Sequence, residues 1–216
     1  MSRSRNRAST NSADSSPLSN SSGIGTYNNL VAGFSELRKQ ALNRLPLQSP
    51  GVCIYMAVKG KNPPYYIRFK LKGKDCIAYV QPGLMEPGLE QSGWLAARLI
   101  APMGHDTAAA LGIEGQMKFM EEMLADGWWA TGISEYKVLH KRTTYEWGKE
   151  FNLYRDSMNP VMTARFMLKG RIAHRSPYIK GLYLSGSSTH PGQWVSFCAI
   201  SGVLAADCVH KDLGHA

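Results

Sequence analysis

Small polar residues crowd into one short run of this chain, Ser185-Gly-Ser-Ser-Thr-His-Pro-Gly192, between the apolar set Leu182 to Leu184 and an apolar stretch from about Trp194 to Val209. The pattern reads as a buried strand, a tight turn and a helix. A strand that re-enters as a helix through such a turn aims several backbone N–H groups, and the positive end of the helix dipole, at one place. The chemistry on offer is the binding of an anionic or electron-rich group. Upstream, Arg171, His174 and Arg175 in Gly170-Arg-Ile-Ala-His-Arg-Ser-Pro177 can orient a diphosphate or a substrate carboxylate. Surface or inter-chain ion pairing is an equal prospect for each of them.

Other chemistries find less to work with. His190 sits inside the turn, where a structural hydrogen bond competes with proton transfer. His105 and His140 are isolated, and no His, Asp and Glu share metal-ligand spacing. Ser176 and Ser201 lack the context of a nucleophile elbow. Glu121 and Glu122 fit a solvated helix face. The cysteines Cys53, Cys76, Cys198 and Cys208 stand far apart with no C-x-x-C pair, so buried free thiols in a reducing compartment are expected.

The elements that must position the turn follow from periodicity. Leu30, Val31, Phe34, Leu37, Ala41, Leu42 and Leu45 recur at helical steps and predict an amphipathic helix over Asn29 to Leu45, ended by Pro46 and Pro50. Strands are expected at Val52 to Val58, Tyr65 to Leu71, Cys76 to Val80, Trp94 to Ile100 and Ile133 to His140. Turns at Gly60 to Pro64 and Lys72 to Asp75, and a loop through Pro82, Gly83, Pro87 and Gly88, make the sheet largely antiparallel. Asp106 is the expected cap of a helix to about Ala125, which Gly112 and Gly115 weaken in its first half. Met117, Phe119, Met120, Met123, Trp128 and Trp129 form a cluster that suits core packing better than a substrate pocket. Tyr183 is expected in the core, and Tyr145 to Tyr154 as a polar, aromatic connection.

With 216 residues, 44% of them apolar, the chain can bury a real core. The formal charge of +9 raises the question of nucleic acid, but the basic residues are scattered with no Lys/Arg run, so no nucleic-acid partner is expected. Residues 1–25, rich in Ser and Asn with Arg3, Arg5 and Arg7, read as a disordered tail. No secretory signal or spanning segment is legible, and a cytoplasmic location is the expectation.

Gly170 to Pro177 followed by Gly181 to Gly192, placed before the small-residue helix Ser201-Gly-Val-Leu-Ala-Ala206, resembles the C-terminal segment of the phytoene desaturase and carotene isomerase group of FAD-dependent oxidoreductases. These belong to the wider amine-oxidase-like flavoprotein family. The resemblance extends more weakly over Val52 to Tyr154, which is similar to the substrate-binding region of such enzymes. It implies FAD as cofactor and a small-molecule substrate. It further implies that Gly186 lets the backbone pass close to the pyrophosphate and ribitol. Ser187, Ser188, Thr189, His190, Pro191 and Gly192 would shape the turn around the ribityl chain, and the backbone N–H near Val195 would face the N1 and C2 carbonyl edge of the ring. A helix N-terminus suits the negative charge of reduced flavin there. Gln193 and Trp194 follow Gly192 where the family continues with glycine, and Phe197 stands where a small residue is usual.

Members of the family begin with a βαβ unit whose Gly-rich turn holds the ADP half of FAD. Gly23-x-Gly25-x-x-Asn28 is no such turn, because no apolar strand precedes it and its third position is Asn. The expectation is therefore an α+β chain: an antiparallel substrate-domain sheet with flanking helices over 26–155, and over 156–216 the final strand and helix of an FAD-binding domain. A second chain carrying the Gly-x-Gly-x-x-Gly Rossmann unit would complete that domain. The implied activity is that of one subunit of a heteromeric oxidoreductase, dehydrogenating or desaturating a C–C or C–N bond by hydride transfer to flavin N5. No side chain stands out as a general base. The reading from another class is a scaffolding or regulatory relative without cofactor.

Overall fold

The computed structural model describes residues 23–61, 63, 65–81, 93–161, 171–193 and 195–214. The basic residues Arg3, Arg5 and Arg7, the loop glycines and prolines from Pro82 to Gly88, Gly170 and Trp194 lie outside the described residues.

The described chain is mixed α+β. Its strands are β1 (Leu47–Gln48), β2 (Val52–Gly60), β3 (Tyr66–Leu71), β4 (Lys74–Gln81), β5 (Leu95–Ala101), β6 (Ile133–Arg142) and β7 (Asn159–Pro160). β1 pairs with β7, and the other five form one antiparallel sheet in the order β3-β4-β5-β2-β6. Alternation explains the sheet: Val52, Ile54, Met56 and Val58 of β2 are buried on one face, joined by Cys76, Ala78 and Val80 of β4 and Ala97 and Leu99 of β5. Against that face lies α2 (His105–Asp126), contributing Phe119, Met120 and Met123, with Trp129 of the following turn closing the cluster. The Met and Trp cluster is thus core, except Trp128, which is exposed.

The helices are α1 (Glu36–Asn43), α2, α3 (Thr144–Glu150) and α4 (Val195–Asp212). The amphipathic helix expected from Asn29 is shorter than its pattern. Gly33 takes a left-handed φ of 70°, and α1 begins only after it. Before the break, Gly23–Leu30 make a separate helical turn that packs Ile24 and Tyr27 fully inside, so Gly23–Gly25 belong to the fold and not to a disordered tail. Leu37 faces solvent at 76% exposure while Phe34 is buried.

Within α2, Gly104 takes the N-cap position in place of the expected Asp106, which lies in the first turn. Gly112 leaves helical geometry altogether, at φ 61° and ψ −174°. The carbonyl of Ala108 takes a donor from the buried side chain of Gln116, at 2.9 Å. The same amide group donates to Thr144 Oγ1 (3.0 Å) and accepts from the Thr144 N–H (2.9 Å), tying the kink to the start of α3. That start is a capping box, in which Thr143 and Glu146 satisfy one another's backbone N–H groups. The Thr-x-x-Glu spacing was present in the sequence, and it makes Tyr145 to Glu150 helical where a connection was expected.

Cys53 and Cys76 are buried, whereas Cys198 and Cys208 are only half-buried, and all four are free thiols. Burial pushes the Cys76 thiol up to about 11. The two ends of the described chain share a smaller core of Tyr27, Phe34 and Leu184, flanked by Ile172, Ile179 and Leu182. Tyr27 stacks on Phe34 with ring centroids 4.8 Å apart and donates its hydroxyl to Ser176 Oγ at 2.8 Å.

Candidate functional site

The segment 171–193 is held by local contacts more than by a sheet. The strand expected at Leu182 to Leu184 reduces to an isolated bridge between Tyr183 and Arg175. Its hydrogen bonds run from Leu184 N to His174 O (2.7 Å) and from Ser176 N to Leu182 O (2.9 Å). An extended segment becomes a regular strand only when a neighbouring strand takes up its remaining backbone groups; here the Leu184 carbonyl is met by the His174 side chain and Leu182 N–H turns back to the Ile179 carbonyl. From Leu184 the chain turns at Gly186, whose φ of 114° is backbone that an L side chain rarely adopts.

A closed ring of polar groups fixes this turn to α4. Gly186 N–H donates to Ser201 Oγ (2.9 Å), Thr189 Oγ1 donates to Gly186 O (2.9 Å), and the hydroxyls of Thr189 and Ser201 meet at 2.5 Å. One assignment satisfies all three contacts: Ser201 gives its hydroxyl proton to Thr189. Ser188 and Thr189 are buried by these contacts, and Gly23 N–H adds a donor to Ser188 Oγ at 3.0 Å.

Arg171 lies within the turn's own structure, with Nη1 donating to the carbonyls of Thr189 (3.1 Å) and Ser187 (3.4 Å). Its guanidinium packs where a side chain on Gly192 would stand, 3.2 Å from that position, and burial draws it below its ordinary basicity. His174 donates from Nδ1 to, or accepts at, no group but the Leu184 carbonyl, so the contact at 3.1 Å places the proton on Nδ1. Its buried Nε2 has no partner among the described residues. Arg175 is drawn to the far end of α4, paired with Asp212 at 2.7 Å. Tyr183, expected in the core, also reaches Asp212 through its hydroxyl, at 2.6 Å. That hydrogen bond, reinforced by Arg175, holds the Asp212 carboxyl below the usual carboxylate range. His190 is exposed, and its ring makes no hydrogen bond among the described residues. Pro191 and Gln193 are half-buried beside the buried Gly192.

A cavity of about 380 Å³ opens beside the turn, lined by Ser185, Gly186, Ser187, Ser188, Thr189 and Thr26. The N-terminus of α4 follows two residues after Gln193, with Val195 89% exposed. Known small-molecule sites measure about 300–1,000 Å³. At about 380 Å³ the cavity lies near the lower end of that range, with room for a fragment of a dinucleotide and not for the whole. The fit to FAD is that of a cap: a glycine that permits close backbone approach and a helix dipole, with no cradle for a diphosphate among the described residues.

Gly23, Thr26, Ser201 and Cys198 also touch or line this place, and none was a candidate from sequence. Among the described residues no group of three His, Cys, Asp or Glu is placed to hold a metal ion. None of the described helices is long and apolar enough to cross a membrane. Compared with models of protein families and with curated proteins, the sequence gives no match.

Proposed function

We propose that this chain is one subunit of a heteromeric FAD-dependent oxidoreductase, and that the turn from Gly186 to Val195 closes over a flavin held mainly by a second chain. The observation that carries the reading is α4. Its sequence is apolar, yet Ser201 and Ala205 are its only buried residues, while Ile200 and Val203 are 47% and 62% exposed. A helix with that composition normally buries most of its surface. The same helix lines the cavity with Cys198 and meets the single-bridge segment through the Tyr183–Asp212 hydrogen bond, and that segment has backbone groups to offer a neighbouring strand.

In this arrangement Gly186 brings backbone close to the cofactor, and the α4 N-terminus favours negative charge at the ring edge. The Ser201–Thr189 ring keeps the turn in one shape, so the orientation is set before binding. FAD, when bound, supplies the acceptor for the hydride taken from a C–C or C–N bond of the substrate. Co-expression with a chain bearing a Gly-x-Gly-x-x-Gly Rossmann unit should give a yellow complex with bound flavin absorbance. A chain that stays solitary, monodisperse and colourless beside every such partner sinks the proposal.

One observation favours the scaffolding alternative: Gly186 N–H and the Thr189 hydroxyl are already satisfied inside the turn. A complex that forms but remains colourless selects that reading.

A further inference from the structure

A row of planar groups crosses the whole sheet on the face turned away from α2. The register places Tyr66 opposite Tyr79, Tyr79 opposite Arg98, Arg98 opposite Tyr55, and Tyr55 opposite His140, one residue from each of the five strands. Four strand spacings make this row about 19 Å long. Neighbours at each end of the row are in contact: Tyr66 and Tyr79 meet edge to face at 5.1 Å with Arg98 5.2 Å over Tyr79, and Tyr55 stacks with His140 at 6.3 Å with Arg142 5.8 Å over the Tyr55 ring. The next row on one side is apolar at its centre, Ile77, Ile100 and Cys53, and on the other it is low, with Ala96 beside Ala57.

Charge on this face is mostly spent internally. Arg68 and Lys70 share Asp75, Lys59 faces Glu135, and Arg142 pairs with Glu150. Arg98, at the middle of the row, has no carboxylate within ion-pair distance among the described residues, and its buried Nε has no hydrogen-bond acceptor. A guanidinium without a carboxylate partner, stacked on Tyr79 and in register with Tyr55, suits one planar anion, because its terminal N–H groups pair with a carboxylate through parallel donors. A nucleic-acid strand would instead need a cation free for each phosphate.

We propose that this face binds a planar aromatic or conjugated monocarboxylate, its body over Tyr79 and Tyr55 and its carboxylate on Arg98. The site does not rest on the flavin reading, since its test needs neither cofactor nor partner chain. Calorimetric titration of the full chain with 2-naphthoate should show binding, with the neutral 2-naphthalenemethanol weaker by about tenfold or more. Arg98→Gln should bring naphthoate down to the level of the alcohol and leave the alcohol unchanged, with the circular dichroism of the chain intact. Failure of naphthoate to bind, equal affinity for the two probes, or a folded Arg98→Gln chain with undiminished naphthoate affinity overturns the proposal. So does preferential, salt-sensitive binding of oligothymidylate. If Arg98→Gln does not fold, the comparison of the two probes on the unaltered chain decides alone.

Discussion

Ser201 is a hydroxyl in the middle of an apolar helix, fully buried, and it serves a backbone group fifteen residues away. Ser201→Ala leaves the Gly186 N–H without an acceptor and breaks the link to Thr189, so a loss of about 1–3 kcal/mol in urea unfolding is expected. A change near zero would mean that water replaces the hydroxyl. Asp212 gives a pH dependence with a definite sign. Its folded carboxyl lies below the ordinary value of about 3.9, so the anchoring of Tyr183 and Arg175 is fully present above that value. It is lost as pH falls through the lowered folded value. In an NMR titration, the Tyr183 and Asp212 signals should therefore move together below the normal carboxylate range, and Asp212→Asn should abolish the transition.

At the scale of elements, the kink in α2 is a device built from two residues. Gly112 supplies the left-handed turn and Gln116 replaces the helix hydrogen bond that the turn removes at Ala108. Gln116→Leu keeps the volume but deprives the Ala108 carbonyl and the Thr144 N–H of partners, and about 2–4 kcal/mol of stability should go with them. Thermal unfolding of that variant beside Gln116→Glu separates lost hydrogen bonds from lost packing. The central strands were legible through period-two alternation, plainest in β2 and β5, whereas β6 is exposed along most of its length and was legible from its β-forming residues between turns. Gly112 was legible as a weak point of its helix, but not as a kink with its own cap. The segment Leu182 to Leu184 looked like a strand because apolar content reports burial, whereas a strand also needs a neighbour to pair with. Of the candidate site, the turn was visible in Gly186 to Gly192. Its lock was not, since Ser201 looks like any small helix residue and Gly23 reaches Ser188 across 165 positions.

The whole molecule carries its apolar surface unevenly. The sheet unit hides Met120, Met123 and Trp129 almost completely, while α4 exposes Val195, Ile200 and Val203. Ile200→Glu with Val203→Glu should thus change the unfolding free energy by no more than about 1 kcal/mol, about 0.5 for each, since both side chains stand largely at the surface. The same pair should abolish assembly with a flavin-bearing partner in size-exclusion chromatography; persistence of the complex would move the interface elsewhere. A contrasting safeguard lies along β6. Most of this ten-residue strand is exposed, and its pairing with β2 slips at Tyr55/Met56, leaving Leu139 unmatched and 67% exposed. A second slip at Lys59/Gly60 is closed by Ser134, whose hydroxyl donates to the Lys59 carbonyl at 3.2 Å. These irregularities deny an incoming chain a straight template, as do Glu135, Lys137 and Lys141 along the strand. Removing Leu139 would take away one of two slips and lengthen the stretch of regular ladder, leaving the Ser134 slip and the charged side chains as what still interrupts this rim.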